Sequence, residues 1–287
     1  MIDRMRQKIR LRIHPLLWLV ACSAVWTGYF IEFFTLFVLV LIHEMGHVAA
    51  ARSYGWRIRA VELLPFGGVA QTEEWGTVPA KEEVVVALAG PFQHVAMILI
   101  SLLFYGTGWW TREWTEYFIH GNVMIACFNL LPIYPLDGGR VMQAGLSFLF
   151  PFRICIDLTL WVSSFLSLVL AAAALFWFKQ GILIHLFLIA LFLLYSNLRA
   201  LKQRHYQFLR FLLSRTRSRI SSKPVKKMTV HGKAELKEVV QMLYKERYHI
   251  LEVTDRTGKV IGFLPEETLL SRFLHPRFYT CTVEELF

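Results

Sequence analysis

The chain has 287 residues, of which 55% are hydrophobic and 15% aromatic, and it carries a formal net charge of +10. Its apolar residues are gathered into long stretches, which excludes an ordinary soluble globular protein and indicates a polytopic α-helical membrane protein. Ten of the 31 Lys and Arg residues lie in an acid-free stretch from Arg199 to Lys227, directly after an apolar segment. That position favours the cytoplasmic edge of a membrane helix over contact with nucleic acid or another acidic partner.

Six apolar stretches have close to the roughly 20 residues that a membrane-spanning helix needs. They run over Pro15–Ile31, Phe33–Ala51, Val84–Tyr105, Gly121–Leu136, Cys155–Phe178 and Gly181–Leu198. Basic residues lie before the first span and after each even-numbered span, so the positive-inside rule predicts that both termini are cytoplasmic. A cleaved signal peptide with a lipoprotein box at Leu19–Cys22 is the alternative for the first span, but cleavage there would unbalance this charge pattern.

The loop between the second and third spans has the composition of a β-hairpin. In RIRAVELLPFGGVAQTEEW, apolar residues flank a turn-forming group of Pro65, Gly67 and Gly68. We expect this hairpin to lie in the membrane interface. Its outer edge offers a strand on which an extended peptide can pair, and a plain interfacial turn is the alternative.

The C-terminal part has the composition of a small soluble α/β unit. Leu236, Val239, Val240 and Leu243 stand at helical spacing, HILEVTD and KVIGFL read as strands around a turn at 256–258, and PEETLLSRFL follows as a second helix. The sequence therefore predicts a six-span membrane domain at 1–198, a basic linker helix at 199–222, and a domain at 223–287 with the order helix, strand, strand, helix.

The second span contains HEMGH, residues 43–47, inside a helix that is otherwise soluble in lipid. At about 100° per residue, His43, Glu44 and His47 lie on one side of that helix. Two imidazoles one turn apart can bind one zinc ion, with the glutamate beside them able to take a proton. An ionised side chain at mid-bilayer costs roughly 2.5–3.5 kcal/mol on insertion scales, which favours a compensating cation over mere hydrogen bonding in a core.

A catalytic zinc ion usually has three protein ligands and one open position, so one more ligand must come from elsewhere in the chain. The segment FNLLPIYPLDGGR offers it. Pro132 and Pro135 should break the fourth span, and Asp137 stands where a second helical piece would begin. Asp137 is therefore the predicted third ligand, and a simple turn or helix N-cap is the alternative.

The motifs HEMGH and NLLPIYPLDGG, each within an apolar segment, together resemble the site-2 protease family of intramembrane zinc metalloproteases. AGP at 89–91 resembles that family's intervening signature, and the resemblance covers roughly residues 33–140. It implies one zinc ion per chain, bound by His43, His47 and Asp137. It also implies that Glu44 is the catalytic base and that the enzyme hydrolyses a peptide bond of a membrane-associated protein.

The resemblance gives one further residue a role. Asn129 matches the family's asparagine, which implies that it positions the substrate or polarises its carbonyl. An amide near a developing oxyanion can donate a hydrogen bond to it. Alternatively, the Asn129 side chain could hydrogen-bond backbone groups that lose their helical partners because of Pro132. Both readings stay open at the level of sequence.

The segment RYHILEVTDRTGKVIGFLPEETLLSRFL resembles a single CBS domain, a module that commonly binds adenine nucleotides such as ATP. Nucleotide-binding CBS domains often have Ser or Thr and then Asp after the strand glycine, whereas this chain has Pro265 and Glu267 there. This departure leaves a structural or dimerising role, and with it a homo-oligomer, as the alternative to nucleotide binding.

Six spans, a basic linker and a C-terminal CBS domain resemble the sporulation members of the site-2 protease family. That resemblance implies a location in the mother-cell membrane around the forespore and the sigma factor K precursor as substrate. It also implies inhibitory membrane partner proteins. Nucleic acid is not an expected direct partner.

Two functions of other classes compete with a peptidase. A metal transporter would use His43, His47 and Asp137 as a transit site and would need further ligands along a path, for which the spans offer His94, Asp157 and His185. A binding protein that has lost catalysis is disfavoured because every expected catalytic residue is present.

Overall fold

The computed structural model describes residues 10–13, 15–64, 67–72, 74–176, 184–217, 224–275 and 281–286. Its larger part is helical, with α1 Pro15–Thr27, α2 Phe30–Ser53, α3 Ala80–Gly106, α4 Arg112–Asn129, α5 Asp137–Leu149, α6 Phe152–Phe176 and α7 Ile184–Arg217. Four of the described helices, α2, α3, α6 and α7, are long and apolar enough to cross a membrane. They overlap the second, third, fifth and sixth predicted spans, and α7 extends well beyond the predicted end of the sixth. The count of six spans stays a prediction.

The first predicted span is shorter than expected. Helix α1 has only 13 residues and ends at Thr27, because Gly28 adopts a φ of +83°, the left-handed conformation that commonly terminates helices. The apolar residues up to Ile31 belong instead to the beginning of α2, which starts at Phe30. The sequence did not predict this break between α1 and α2, because the apolar stretch continues through it.

The fourth predicted span, 121–136, is wrong in its bounds, although its predicted break is present. Helix α4 begins at Arg112, where the Thr111 hydroxyl caps it by accepting a hydrogen bond from the Trp114 N–H at 3.3 Å. It ends at Asn129, the segment 130–136 is irregular, and α5 begins at Asp137. Prolines at 132 and 135 lack the N–H that a helix interior requires, which explains the interruption.

A small three-stranded sheet accompanies the helices. The predicted hairpin is present as β2 Ile58–Leu64 and β3 Gly67–Thr72, which pair antiparallel, while Pro65 of its turn lies outside the described residues. The strand β1 Arg10–Ile13 pairs parallel with β2, so the order is β1-β2-β3. The sequence does not predict β1, because RLRI is short and its arginines equally fit the basic stretch before the first span.

The C-terminal unit contains β4 Val225–His231, α8 Leu236–Gln241, β5 Tyr248–Thr254, β6 Val260–Pro265, α9 Glu266–Phe273 and a 3-10 turn at Glu284–Leu286. Its sheet has the order β4-β5-β6, with a parallel and then an antiparallel pairing. The predicted helix, strand, strand and helix are all present. Strand β4 precedes them and is not predicted, because the consecutive Lys226 and Lys227 interrupt the alternation of polar and apolar residues.

The predicted linker is not a separate helix. Helix α7 continues without a break from the sixth predicted span to Arg217, because no Gly or Pro interrupts it. Residues 218–222 of the predicted linker and Lys223 lie outside the described residues. Phe152 of α6 and Phe211 of α7 join one buried apolar cluster with Leu243 and Leu251 of the C-terminal unit, so that this unit packs on the helical part.

Candidate metal centre

The helix α2 brings three polar side chains of HEMGH into one buried position. His43, Glu44 and His47 are 3%, 5% and 5% exposed, while most of the other side of the helix is apolar. The Nε2 atoms of His43 and His47 lie 3.1 Å apart, and potential ligand atoms of all three residues fall within 4.8 Å of one another. Helical periodicity alone produces this convergence, as expected from the sequence.

Asp137 joins the histidines from the first turn of α5. Its Oδ2 atom lies 3.1 Å from His43 Nε2 and 3.2 Å from His47 Nε2, and the residue is 6% exposed. Three donor atoms on one tetrahedral zinc ion with 2.0–2.1 Å bonds would be about 3.3 Å apart. The spacing of the two nitrogens and the oxygen therefore fits a zinc ion, and so does their chemistry.

The irregular segment that carries Asp137 is fixed by two polar side chains from the helices behind it. The Tyr134 N–H donates to Ser163 Oγ of α6 at 2.9 Å, and Asn197 Nδ2 of α7 donates to the Tyr134 carbonyl at 2.5 Å. Backbone that is not helical is tolerated at membrane depth only when protein or trapped water satisfies it. Sequence reasoning missed Ser163 and Asn197, whose only signal was a polar residue in an apolar span.

Glycines allow α3 and α5 to approach the centre closely. A Cβ on Gly90 would overlap the ring of His47 and stand 2.8 Å from His43 Nε2, so the AGP signature has a steric reason. A Cβ on Gly138 would overlap the Leu130 carbonyl, and one on Gly139 would stand 2.5 Å from the Tyr134 nitrogen. A side chain at Gly90 would displace the two histidines, and one at Gly138 or Gly139 would displace the irregular segment before Asp137.

Hydrogen bonds behind the histidines hold their rings. His47 Nδ1 is 2.7 Å from the carbonyl oxygen of Val86. His43 Nδ1 is 3.0 Å from His94 Nε2, and His94 Nδ1 is 2.8 Å from Asn122 Oδ1. Sequence reasoning considered His94 only as a transport ligand and did not consider Asn122. A single polar residue has no spacing pattern, so its partner across two helices was not foreseeable.

Asn129 is the last residue of α4, at the point where the chain breaks towards Asp137. Its Nδ2 atom donates to the Ile125 carbonyl of the same helix at 3.0 Å. Among the described residues it makes no hydrogen bond to the histidines, Glu44 or Asp137. A role for Asn129 towards substrate stays a prediction, and in this structure its amide stabilises its own helix.

The C-terminal unit contacts the beginning of α3, the helix that carries Gly90 and His94. The Ala80 N–H donates to Glu246 Oε1 at 2.9 Å, which satisfies one of the unpaired amides of the first turn. Lys245 Nζ lies 2.5 Å from Glu83 Oε2, and both side chains are buried. These contacts connect the C-terminal unit to a helix that lines the centre.

The start of α9, where the sequence departs from nucleotide-binding CBS domains, is occupied by the protein's own contacts. Pro265 precedes the helix, and Glu267 accepts a hydrogen bond from the Tyr248 hydroxyl at 2.6 Å. Burial and this hydrogen bond to a carboxylate raise the pKa of Tyr248 to about 12. Glu267 is exposed and gives the position a negative charge that disfavours a phosphate group, whereas Glu266 is buried and paired with Arg215.

Comparison with known proteins agrees with this centre. The model of peptidase family M50 matches residues 31–120. Stage IV sporulation protein FB of Bacillus subtilis is 32% identical over 281 residues, which cover 97% of this chain and 96% of that protein. A zinc metalloprotease of Methanocaldococcus jannaschii is 34% identical over 125 residues, which cover 40% of this chain and 34% of that protein.

A solved structure shares the fold. The site-2 protease from Methanocaldococcus jannaschii superposes with a TM-score of 0.53 at 25% identity, covering 66% of this chain and 89% of that one. The near-complete coverage of a relative above 30% identity carries the assignment, and the predicted resemblance to site-2 proteases is confirmed. The chain belongs to peptidase family M50, the site-2 protease family of intramembrane metalloproteases.

Proposed function

We propose that this metalloprotease binds one zinc ion through His43, His47 and Asp137 and uses Glu44 as its catalytic base. The observation that carries the proposal is the meeting of His43 Nε2, His47 Nε2 and Asp137 Oδ2 within 3.1–3.2 Å, next to a buried glutamate. Three ligands from two helices leave a fourth position of a tetrahedral ion open, as catalytic sites require. When bound, zinc supplies Lewis acidity that makes a water more acidic and polarises the scissile carbonyl.

Glu44 transfers the protons of the hydrolysis. Its carboxylate accepts a proton from the attacking water, whose oxygen forms the new bond to the carbonyl carbon. The same carboxyl group then gives the proton to the leaving nitrogen as the C–N bond breaks, so protons and electrons balance. Its burial next to the two histidines keeps bulk water away from this exchange.

Substrate must reach the centre in an extended form, because a helical peptide bond is shielded by its own hydrogen bonds. Strand β3 lies at one edge of the β1-β2-β3 sheet and offers backbone groups on which an extended segment pairs. Asn129, at the broken end of α4, is our candidate for holding the substrate carbonyl. Its Nδ2 would exchange the bond to Ile125 for one to the substrate.

We assign the substrate as a membrane-associated protein and, more narrowly, as the sigma factor K precursor, from which the pro-sequence is removed during sporulation. Similarity to Stage IV sporulation protein FB along 97% of the chain supports this assignment. The same similarity supports a location in the mother-cell membrane around the forespore, with cytoplasmic termini and inhibitory membrane partner proteins.

The C-terminal unit at 223–287 is proposed to be a CBS domain with a structural role. Its buried cluster with α6 and α7 supports docking on the helical part, and the exposed Glu267 at the start of α9 disfavours ATP binding. Association of chains through this unit stays a prediction. The contacts of Lys245 and Glu246 with the beginning of α3 support a role in engaging substrate near the centre.

A metal transporter is the weaker candidate. Its possible path ligands have other partners or positions: His94 is hydrogen-bonded to His43 and Asn122, Asp157 is paired with Arg153 and Arg204, and His185 is exposed on α7. These residues do not form a continuous chain of ligands leading away from the centre.

The decisive experiment compares Glu44→Gln with wild type and with Glu32→Gln, which changes an acid in the first turn of the same helix. Purified in detergent, all three should contain about one zinc ion per chain. Glu44→Gln should cleave the sigma factor K precursor at least about 100-fold more slowly, because general base catalysis contributes 10²–10⁴-fold, and Glu32→Gln should cleave normally. Cleavage by Glu44→Gln above a tenth of the wild-type rate would contradict the assignment.

A further inference from the structure

Two buried polar residues lie behind the metal centre and take no part in the hydrolysis described above. His94 of α3 is 1% exposed and Asn122 of α4 is 0% exposed. An unsatisfied polar group at such a position costs about 1–3 kcal/mol, so these side chains are expected to be fully paired. Ionisable residues inside spanning helices usually serve a function, and His94 lies in α3, one of the helices long and apolar enough to span a membrane.

The two residues form a chain that ends on His43. His94 Nε2 is 3.0 Å from His43 Nδ1, and His94 Nδ1 is 2.8 Å from Asn122 Oδ1. Asn122 Nδ2 in turn donates to the Phe118 carbonyl at 2.8 Å. Each ring nitrogen on the path from His43 to Asn122 therefore has one partner.

The direction of every hydrogen bond follows from the end of the chain at Asn122. Because the amide nitrogen of Asn122 is used by the Phe118 carbonyl, its Oδ1 faces His94 and can only accept. His94 must then carry its proton on Nδ1 and present an unprotonated Nε2. That nitrogen accepts a hydrogen bond, so the proton of His43 is held on Nδ1.

The other nitrogen of His43 is thereby left with a free lone pair. This nitrogen, Nε2, is the atom that lies 3.1 Å from both His47 Nε2 and Asp137 Oδ2. A neutral imidazole binds a metal only through its unprotonated nitrogen, and the group that accepts from the other nitrogen fixes this tautomer.

We propose that His94 and Asn122 are positioning residues that hold His43 in the tautomer and orientation in which its Nε2 binds the metal. The inference rests on the proposed function, since it takes His43 to be a ligand. His47 needs no such relay, because its Nδ1 faces the Val86 carbonyl at 2.7 Å, and a carbonyl can only accept. Of the two histidine ligands, His43 is the one whose tautomer depends on side chains.

The test measures the zinc dissociation constant of the purified full-length protein by competition with a chelator, without reference to cleavage. His94→Leu removes the acceptor and should weaken zinc binding about 10–100-fold, the usual effect of losing such a supporting partner. His94→Gln can still accept from His43 and donate to Asn122, so it should bind within about threefold of wild type. His120→Leu, an exposed histidine on α4, is the matched control and should bind as wild type does.

A second pair of variants tests the relay at a residue that does not contact His43. Asn122→Leu should weaken zinc binding in the same direction as His94→Leu, because His94 then loses the acceptor that fixes its proton on Nδ1. Asn122→Asp, protonated at this buried position, keeps an oxygen that accepts from His94 and a hydroxyl that donates to the Phe118 carbonyl, so it should bind zinc within about threefold of wild type. This pair remains informative if His94→Leu fails to fold.

Each outcome either supports or overturns the relay. Wild-type affinity in both His94→Leu and Asn122→Leu would overturn it, and so would equal weakening in the Leu variants and their polar counterparts. In either case wild type would still bind zinc and lose it on Asp137→Asn, so the proposed function would survive. Absence of zinc binding in wild type would instead overturn the proposed function itself.

Discussion

Replacing Glu266 by Gln should loosen the C-terminal unit from α7. The Glu266 carboxylate accepts two hydrogen bonds from Arg215, from Nε at 2.6 Å and from a terminal nitrogen at 2.7 Å. The two side chains are only 4% and 10% exposed, so solvent screens the pair weakly. Breaking a buried ion pair by removing one charge typically costs 3–5 kcal/mol.

The lower end of that range applies here. After the substitution, Arg215 keeps the carbonyl oxygens of Lys245 and Arg247 as acceptors, and the Gln oxygen can accept one further bond. We therefore expect a loss of about 3 kcal/mol, because the guanidinium charge stays buried without a counter-charge. A loss of this size corresponds to an opening equilibrium that is about 150-fold more favourable.

Amide hydrogen exchange in detergent measures this quantity on the full-length protein. The peptide covering β5, Tyr248–Thr254, should exchange about 150-fold faster in Glu266→Gln than in wild type. Glu267→Gln makes the same chemical change at the neighbouring exposed residue and should alter exchange by about twofold or less. Equal exchange of β5 in the two variants would refute the reasoning from burial.

The other two predictions concern acid and the AGP signature. Burial alone would raise the pKa of Glu266, but hydrogen bonds from His249 and Arg215 outweigh it and hold the pKa below its ordinary value. The stabilisation of the C-terminal unit by Glu266 is therefore complete above about pH 4.3 and disappears as the pH falls through the lowered pKa. At pH values below about 4, the opening free energy of β5, corrected for intrinsic exchange rates, should decrease more steeply in wild type than in Glu266→Gln. Parallel pH curves for the two proteins would contradict this prediction. Gly90→Ala should reduce zinc affinity and cleavage at least about tenfold, because the new methyl group meets the rings of His43 and His47, whereas Gly106→Ala in the same helix enters open space and should have normal zinc content and cleavage.

The residues that are costly in lipid were the ones that sequence reasoning could find. A glutamate between two histidines in an apolar helix costs free energy in lipid unless a cation compensates it, which indicates a metal site. An aspartate after two prolines indicates a broken span. His94, Asn122, Ser163 and Asn197 lack such a signal, because a polar residue alone in a span acquires meaning only from its partners on other helices. Their contacts depend on how the helices pack.

The boundaries of several helices and strands depend on single residues or pairings that the composition of a segment does not reveal. Gly28 ends α1 inside a continuous apolar stretch because of its left-handed backbone conformation. Helix α7 runs on through the basic residues because charge does not end a helix that contains neither Gly nor Pro. Strands β1 and β4 were missed because each forms through pairing with a strand further along the chain.

The division of the centre between α2 and α5 has a consequence for biosynthesis. His43 and Asp137 are 94 positions apart, so a ribosome that has just made α2 has produced only two of the three proposed ligands. At about 5–20 residues per second, the aspartate follows roughly 5–20 s later. If the proposed ligand set is right, the nascent protein has neither a complete metal site nor protease activity until α5 has been translated and has folded against α2 and α3.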